Sequence, residues 1–305
     1  MLARRVTPIW NSFHMFFYVN VNIVIARQYL QIFNLCELLY YTKKSSMFTP
    51  SKPVLVVLPP SHFCEKAAWA LDRYGIAYEV SVVAAGFHTG IAKQAGSKST
   101  STPVLILPKP QPSLCDSADI VKWAEMQRPD AKKLFPDGKV AEINELLARF
   151  DGKLGPNVRL FVYSQCLDTD EMLQGLCRGA PFTQRAAYAM GMKYIVRSFI
   201  RKGMKVNAEN GAAALNECRE EFKRVSDLLS DGRRYLTGDE FTAADLSFVA
   251  LSAPLLGIKY GHARTFENSA RPPGYQAAIE EFSVTPAGQF ARRVWEDERR
   301  SVIVS

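Results

Sequence analysis

Ser61-His62-Phe63-Cys64-Glu65-Lys66 stands between a short apolar run, Pro53-Val54-Leu55-Val56-Val57-Leu58, and a helical pattern that opens Ala67-Ala68-Trp69-Ala70-Leu71-Asp72. A strand that ends in a tight loop and feeds a helix leaves unpaired backbone NH groups at the first turn, where negative charge is favoured. Ser61 and Cys64 lie at that point, three positions apart and on one side of the turn. The stretch therefore reads as a place where a thiol is brought to a helix N-terminus.

Outward from it, residues 52–125 alternate between elements. Strands are expected at 53–58, 78–83 and from Thr102-Pro103-Val104-Leu105-Ile106-Leu107, with a fourth entered through Ser113-Leu114-Cys115 after the turn Pro108-Lys109-Pro110-Gln111-Pro112. A helix at about 62–74 ends at Gly75, and another follows Asp116-Ser117, either of which can cap it. The stretch 87–101 is poorly periodic and reads as a loop. Arg128-Pro129-Asp130 and Phe135-Pro136-Asp137-Gly138 mark a linker.

Beyond the linker the spacing is helical: 140–150 with a continuation, 184–202, 209–229, 243–256 and 287–300. Thr242 and Asp245 form an acidic capping box, and Phe241 is placed to pack on Leu246 as a hydrophobic staple. The organisation is thus an extension at 1–50, an α/β domain at 51–127, a linker at 128–138 and an all-helical domain at 139–305.

The chain has 305 residues and a net charge of +8, and half of that excess lies in the first fifty residues. The remaining basic residues look scattered over solvated helix faces, which argues against a nucleic-acid partner. The six cysteines and four histidines are dispersed without CxxC or metal-ligand spacing, so neither a disulfide framework nor a metal site is expected, and a reducing compartment fits.

Residues 6–26 carry no charge and follow Arg4 and Arg5, but Asn11, His14, Asn20 and Asn22 interrupt them. They read as an organellar targeting segment or a signal anchor; alternatively Met47 is a working start and the segment is dispensable. Localisation is accordingly cytoplasmic, or mitochondrial or plastid if the extension targets, and a membrane is a partner only if 6–26 is an anchor.

Three ordered stretches together resemble the soluble glutathione transferase superfamily: the Ser61 to Lys66 loop, Thr102-Pro103-Val104-Leu105, and Asp116-Ser117-Ala118-Asp119-Ile120. The segment from Leu236 to Asp245 is similar to that family's capping signature, and 286–293 more weakly to closing helices of plant-like or algal-like members. The likeness covers about 53–300 and departs from the family pattern at His62, where proline is common, and at the proline-rich turn 108–112. It implies a thioredoxin-like N-terminal domain joined to an all-α C-terminal domain, usually paired as a homodimer, with glutathione as co-substrate and no metal.

The resemblance further implies that Ser61 hydrogen-bonds the glutathione sulfur and that the thiolate attacks a small-molecule electrophile, a detoxification chemistry. Phe63, Thr102 and Pro103 would lie along the tripeptide, with the bond before Pro103 cis and the Thr102 main chain pairing like an added strand. Asp116 and Ser117 would hold the γ-glutamyl end, and Lys98 is a candidate for the glycine carboxylate.

Lowering a thiol pKa by about two units takes roughly 2.7 kcal/mol. A hydrogen bond to a charged acceptor supplies about 1.5–3 and a helix N-terminus about 0.3–1, so the requirement is met. Residue by residue, helix capping is the plain reading of Ser61, Asp116 and Ser117, and half-buried packing that of Cys64. If Cys64 works as a nucleophile, the protein is a glutathione-dependent thiol transferase. A non-catalytic binding or scaffold protein of the same fold is the remaining alternative. Tyr163, Phe161 and Met172 are candidates for an electrophile pocket by chain position alone, with core packing the default for each.

Overall fold

Val54–Val57, four buried residues rich in β-branched side chains, forms β1 at the centre of a three-stranded sheet ordered β2-β1-β3 in the computed structural model, which describes residues 50–260 and 271–300. β2 (Glu79–Val82) runs parallel to it with Val54 opposite Glu79, and β3 (Val104–Ile106) antiparallel with Val54 opposite Ile106. The fourth strand expected at 113–115 is reduced to a single bridge between Leu105 and Leu114. Pro108, Pro110 and Pro112 precede it and carry no NH, so no regular ladder grows from the turn. The expected extension at 1–50, with its targeting or anchoring role for 6–26, lies outside the described residues apart from residue 50.

α1 (His62–Arg73) crosses from the sheet to the helical part and buries both flanks. Trp69, fully buried, meets Trp295 edge-on at 5.6 Å and Phe241 at 5.7 Å. The chain leaves α1 through Gly75 at φ +60°, a conformation that glycine adopts without a Cβ penalty. The stretch expected as a loop contains α2 (His88–Gln94), a short helix with no side-chain cap and only Ile91 and Ala92 buried. α3 (Ser117–Met126) follows β3 and packs on α1.

The helical part starts with α4 (Val140–Arg149), which runs through a π-helical turn at Phe150–Leu154 into α5 (Gly155–Cys166). α6 (Asp170–Gly175), α7 (Phe182–Ala187) and α8 (Lys193–Gly203) come next. The single helix expected at 184–202 is broken between α7 and α8 at Gly191, whose φ of +108° no helix accommodates. α9 (Ala208–Leu228) lies along α5. α10 (Ala243–Ser252) has every residue buried. Phe248 on α10 touches Phe150, Phe222 and Phe290, which makes this helix the axis of the core.

The Asp245 carboxylate caps α10 by accepting from the Thr242 NH at 2.8 Å, the Thr242 hydroxyl at 2.9 Å and the Leu236 NH at 2.7 Å. α11 (Pro273–Ser283) was not expected, whereas α12 (Pro286–Val294) and the π-helical turn Trp295–Arg300 occupy the expected closing helix.

Candidate functional site

Ser61 is the N-cap of α1, with extended backbone angles and a hydroxyl that accepts from the Cys64 NH at 3.3 Å. A hydroxyl has acceptor lone pairs and one proton, and capping uses a lone pair. The cap does not use the proton, and the Cys64 thiol beside it puts a sulfur within its reach, so the capping and sulfur-binding readings of Ser61 are compatible.

Cys64, one turn further, is 4% exposed. Its thiol faces the Ser61 and Thr102 side chains and the Leu58 backbone NH, and burial pushes its pKa above the ordinary thiol value. A buried thiol with a raised pKa is a poor nucleophile at neutral pH.

The peptide bond between Thr102 and Pro103 is cis, and both residues are buried at the entrance to β3. Among the described residues the Thr102 main-chain NH and C=O make no hydrogen bond. Asp116 is exposed and caps α3 by accepting from the Ala118 NH at 2.7 Å. Ser117 is buried at the first helical position, and its hydroxyl makes no hydrogen bond among the described residues.

Ser61, Cys64 and Thr102 therefore meet in one place. Asp116 lies near enough to act electrostatically on Lys66 and Asp151. A free strand-like NH and C=O, a free hydroxyl at a helix start and a hydroxyl proton at a second helix start fit a peptide with a carboxylate and a thiol. Lys98 is exposed in the loop before β3. Phe161 and Met172 are core residues, Phe161 against Tyr275. Tyr163 is half-buried and feels the charge of Arg159.

The helical part holds the loop through contacts that lie far apart in sequence. His62, where a proline was expected, is buried and donates from Nε2 to the Gly155 carbonyl at 3.1 Å. Burial, with the neighbouring Arg159 charge, lowers its pKa to about 3. Gly155 has no room for a side chain, because a Cβ there would lie 2.5 Å from the Phe63 ring. Arg159 stands over that ring at 5.8 Å, makes no ion pair among the described residues, and adds positive potential beside the loop.

The last two residues of the opening stretch are also tied across. Lys66, fully buried, donates to both Asp151 carboxylate oxygens at 2.6 and 2.8 Å. Glu65 accepts from Arg299 at 2.6 Å, and the same guanidinium reaches Asp72 at 2.7 Å. The Tyr260 hydroxyl donates to the Pro60 carbonyl at 3.0 Å. No group of residues suited to a metal ion occurs among the described residues.

Residues 55–132 match the family described as glutathione S-transferase, N-terminal domain. Among solved structures, a glutathione transferase from Phanerochaete chrysosporium is similar at 18% identity and a TM-score of 0.56, over 82% of this chain and 99% of that one. A glutathione S-transferase of Ceriporiopsis subvermispora in complex with glutathione is similar at 17% identity and 0.55, over 82% and 98%. The beta-etherase LigF from Sphingobium sp. strain SYK-6 is similar at 17% identity and 0.51, over 79% and 99%. No curated protein matches the chain. At these identities the structural likeness is one of fold: a small mixed sheet with helices, followed by a mostly helical part.

Proposed function

We propose that this chain, a member of the glutathione S-transferase superfamily through its residues 55–132 and its two-part fold, conjugates glutathione to an electrophilic small molecule. The observation that carries the reading is Ser61, which caps α1 with a lone pair and keeps its proton for a sulfur placed at the same helix start. The Thr102 NH and C=O would pair with the cysteinyl residue of glutathione, and Asp116 and Ser117 would hold its γ-glutamyl ammonium and carboxylate.

The glutathione thiol gives its proton to solvent, and the Ser61 hydroxyl, the α1 N-terminus and the Arg159 charge stabilise the resulting thiolate. Sulfur then forms a bond to the electrophilic carbon, and the leaving group departs with its electron pair. Burial of Cys64 weighs against the thiol-transferase alternative.

Turnover of glutathione with a generic aryl halide tests the reading. Removing one hydrogen bond to a charged acceptor costs about 1.5–3 kcal/mol, so Ser61→Ala should lose roughly 10- to 100-fold in kcat/KM. Undiminished turnover by Ser61→Ala would overturn it. Failure of the parent protein to bind glutathione at millimolar concentration would instead favour the non-catalytic alternative.

A further inference from the structure

The stretch 172–208 contains seven basic residues (Arg178, Arg185, Lys193, Arg197, Arg201, Lys202 and Lys205) and no acidic one, in a chain whose whole net charge is +8. The basic residues thus have a second concentration besides the N-terminal one, in the segment from α6 to α9. This segment is attached to the sheet side of the fold. The Ala84 NH donates to the Gln184 side chain at 2.8 Å, the Tyr188 hydroxyl donates to the Ala85 carbonyl at 2.7 Å, and the Ala85 NH donates to the Leu176 carbonyl at 3.0 Å. Gly86, at φ +92°, is where α8 docks: a Cβ there would meet the buried Val196 at 3.1 Å.

With α8 seated by Val196, Tyr194, Ile195 and Phe199 are left outside. Ile195, Phe199 and Lys202 follow at i, i+4 and i+7 and share one face. Phe199 is 73% exposed, and Ile195, Tyr194 and Met190 are exposed as well. Phe182, at the start of α7, is 75% exposed. Isolated exposed apolar residues are ordinary, but five within eighteen positions are not.

Six of these seven cations divide into two groups. Arg197 and Arg201 reach Asp168, and Lys193 reaches Asp170, so these three are partly neutralised. Arg185, Lys202 and Lys205 make no ion pair among the described residues. An amphipathic helix with exposed Phe and Ile beside unneutralised Lys and Arg has the chemistry of a helix that lies in the headgroup region of an anionic bilayer.

The charge pattern also separates this occupant from two others. A second copy seated symmetrically on the face would set Lys202 and Lys205 near their own counterparts, with Asp168 and Asp170 already engaged by Arg197, Arg201 and Lys193. A nucleic acid would answer the cations but give Ile195 and Met190 nothing apolar to bury against. No described helix is long and apolar enough to cross a membrane.

We propose that the α7–α8 face is a docking surface for an anionic phospholipid membrane, with Ile195 and Phe199 entering the interface and Lys202 and Lys205 meeting headgroup phosphates. None of these four residues is among those assigned to glutathione.

The test is sedimentation of the full chain with vesicles of phosphatidylcholine alone and with about 30 mol% phosphatidylserine, over a range of salt. Binding is expected to the anionic vesicles only and should fall with salt. Lys202→Gln/Lys205→Gln should weaken it roughly thirtyfold. Phe199→Asp, at an exposed position, should abolish it while leaving the melting temperature unchanged. Binding retained by Phe199→Asp would assign the membrane contact to another part of the chain, such as residues 6–26, and overturn the proposal. So would binding to neither vesicle, a parent dimer that Phe199→Asp converts to monomer without any vesicle binding, or single-stranded RNA binding that the lysine variant loses and Phe199→Asp keeps.

Discussion

Asp151→Asn removes one charge from the buried pair that ties α1 to the helical part. Lys66 Nζ sits 2.6 and 2.8 Å from the two Asp151 oxygens, with the lysine side chain fully buried and the aspartate 26% exposed. Breaking a buried pair by neutralising one partner costs about 3–5 kcal/mol, because the other charge stays desolvated. Two features reduce that figure. Water reaches Asp151, and burial already lowers the Lys66 pKa, so the ammonium can shed its proton once its partner is gone.

A loss of about 2–3 kcal/mol follows, which for a chain of this size is a drop in melting temperature of roughly 4–12 °C. Thermal unfolding followed by circular dichroism measures it. The double variant Lys66→Met/Asp151→Leu should recover most of the loss, since apolar replacement of a buried pair is often neutral or stabilising. A shift of Asp151→Asn below about 1 °C, or a double variant no better than the single one, would refute the claim that this pair is desolvated and fastens the loop helix.

Two further outcomes follow from the same loop. His62 has a pKa of about 3 in the folded protein, far below its unfolded value, so it contributes stability above about pH 6.5 that is lost as the pH falls and the unfolded chain takes up the proton. Between pH 7 and pH 5 the parent should lose about 2 kcal/mol relative to His62→Gln, which keeps the NH donor to Gly155 and does not titrate; equal acid sensitivity in urea unfolding would contradict this. His88, also lowered by burial, is present in both proteins and cancels. Cys64→Ala should keep most of the conjugating activity, and mass spectrometry after oxidised glutathione should show no adduct on Cys64 in the folded parent; an adduct there, with loss of activity in the variant, would revive the redox reading.

Features set by neighbouring residues were legible in the sequence. Ser61, Asp116 and Thr242 cap helices that begin one residue later, and strand β1 is a short apolar run between turn residues. What failed to show was non-local or sterically special. His62 finds its acceptor 93 positions away, Lys66 its partner 85 away, and Glu65 its arginine 234 away, so their roles in holding the loop have no local signature.

Helix α2 lacks a side-chain cap and buries only two side chains, which is why 87–101 carried no periodicity. The break at Gly191 lies inside a stretch whose apolar spacing continues on both sides. Counted only as scattered residues, the cations of 172–208 concealed their segregation; it is the exposed Phe199 and Ile195 beside them that give the segment a meaning.

The central claim is that Ser61 stabilises a glutathione thiolate, and the pKa of the bound thiol tests it most directly. The ultraviolet absorbance of the thiolate in the binary complex, followed against pH, should titrate about two units below free glutathione in the parent. Ser61→Gly keeps most of the capping energy, because glycine is tolerated at an N-cap, but has no hydroxyl proton. Its bound thiol should titrate about one to two units higher than the parent's. The same pKa in both proteins, or a parent value no lower than that of free glutathione, would contradict the account.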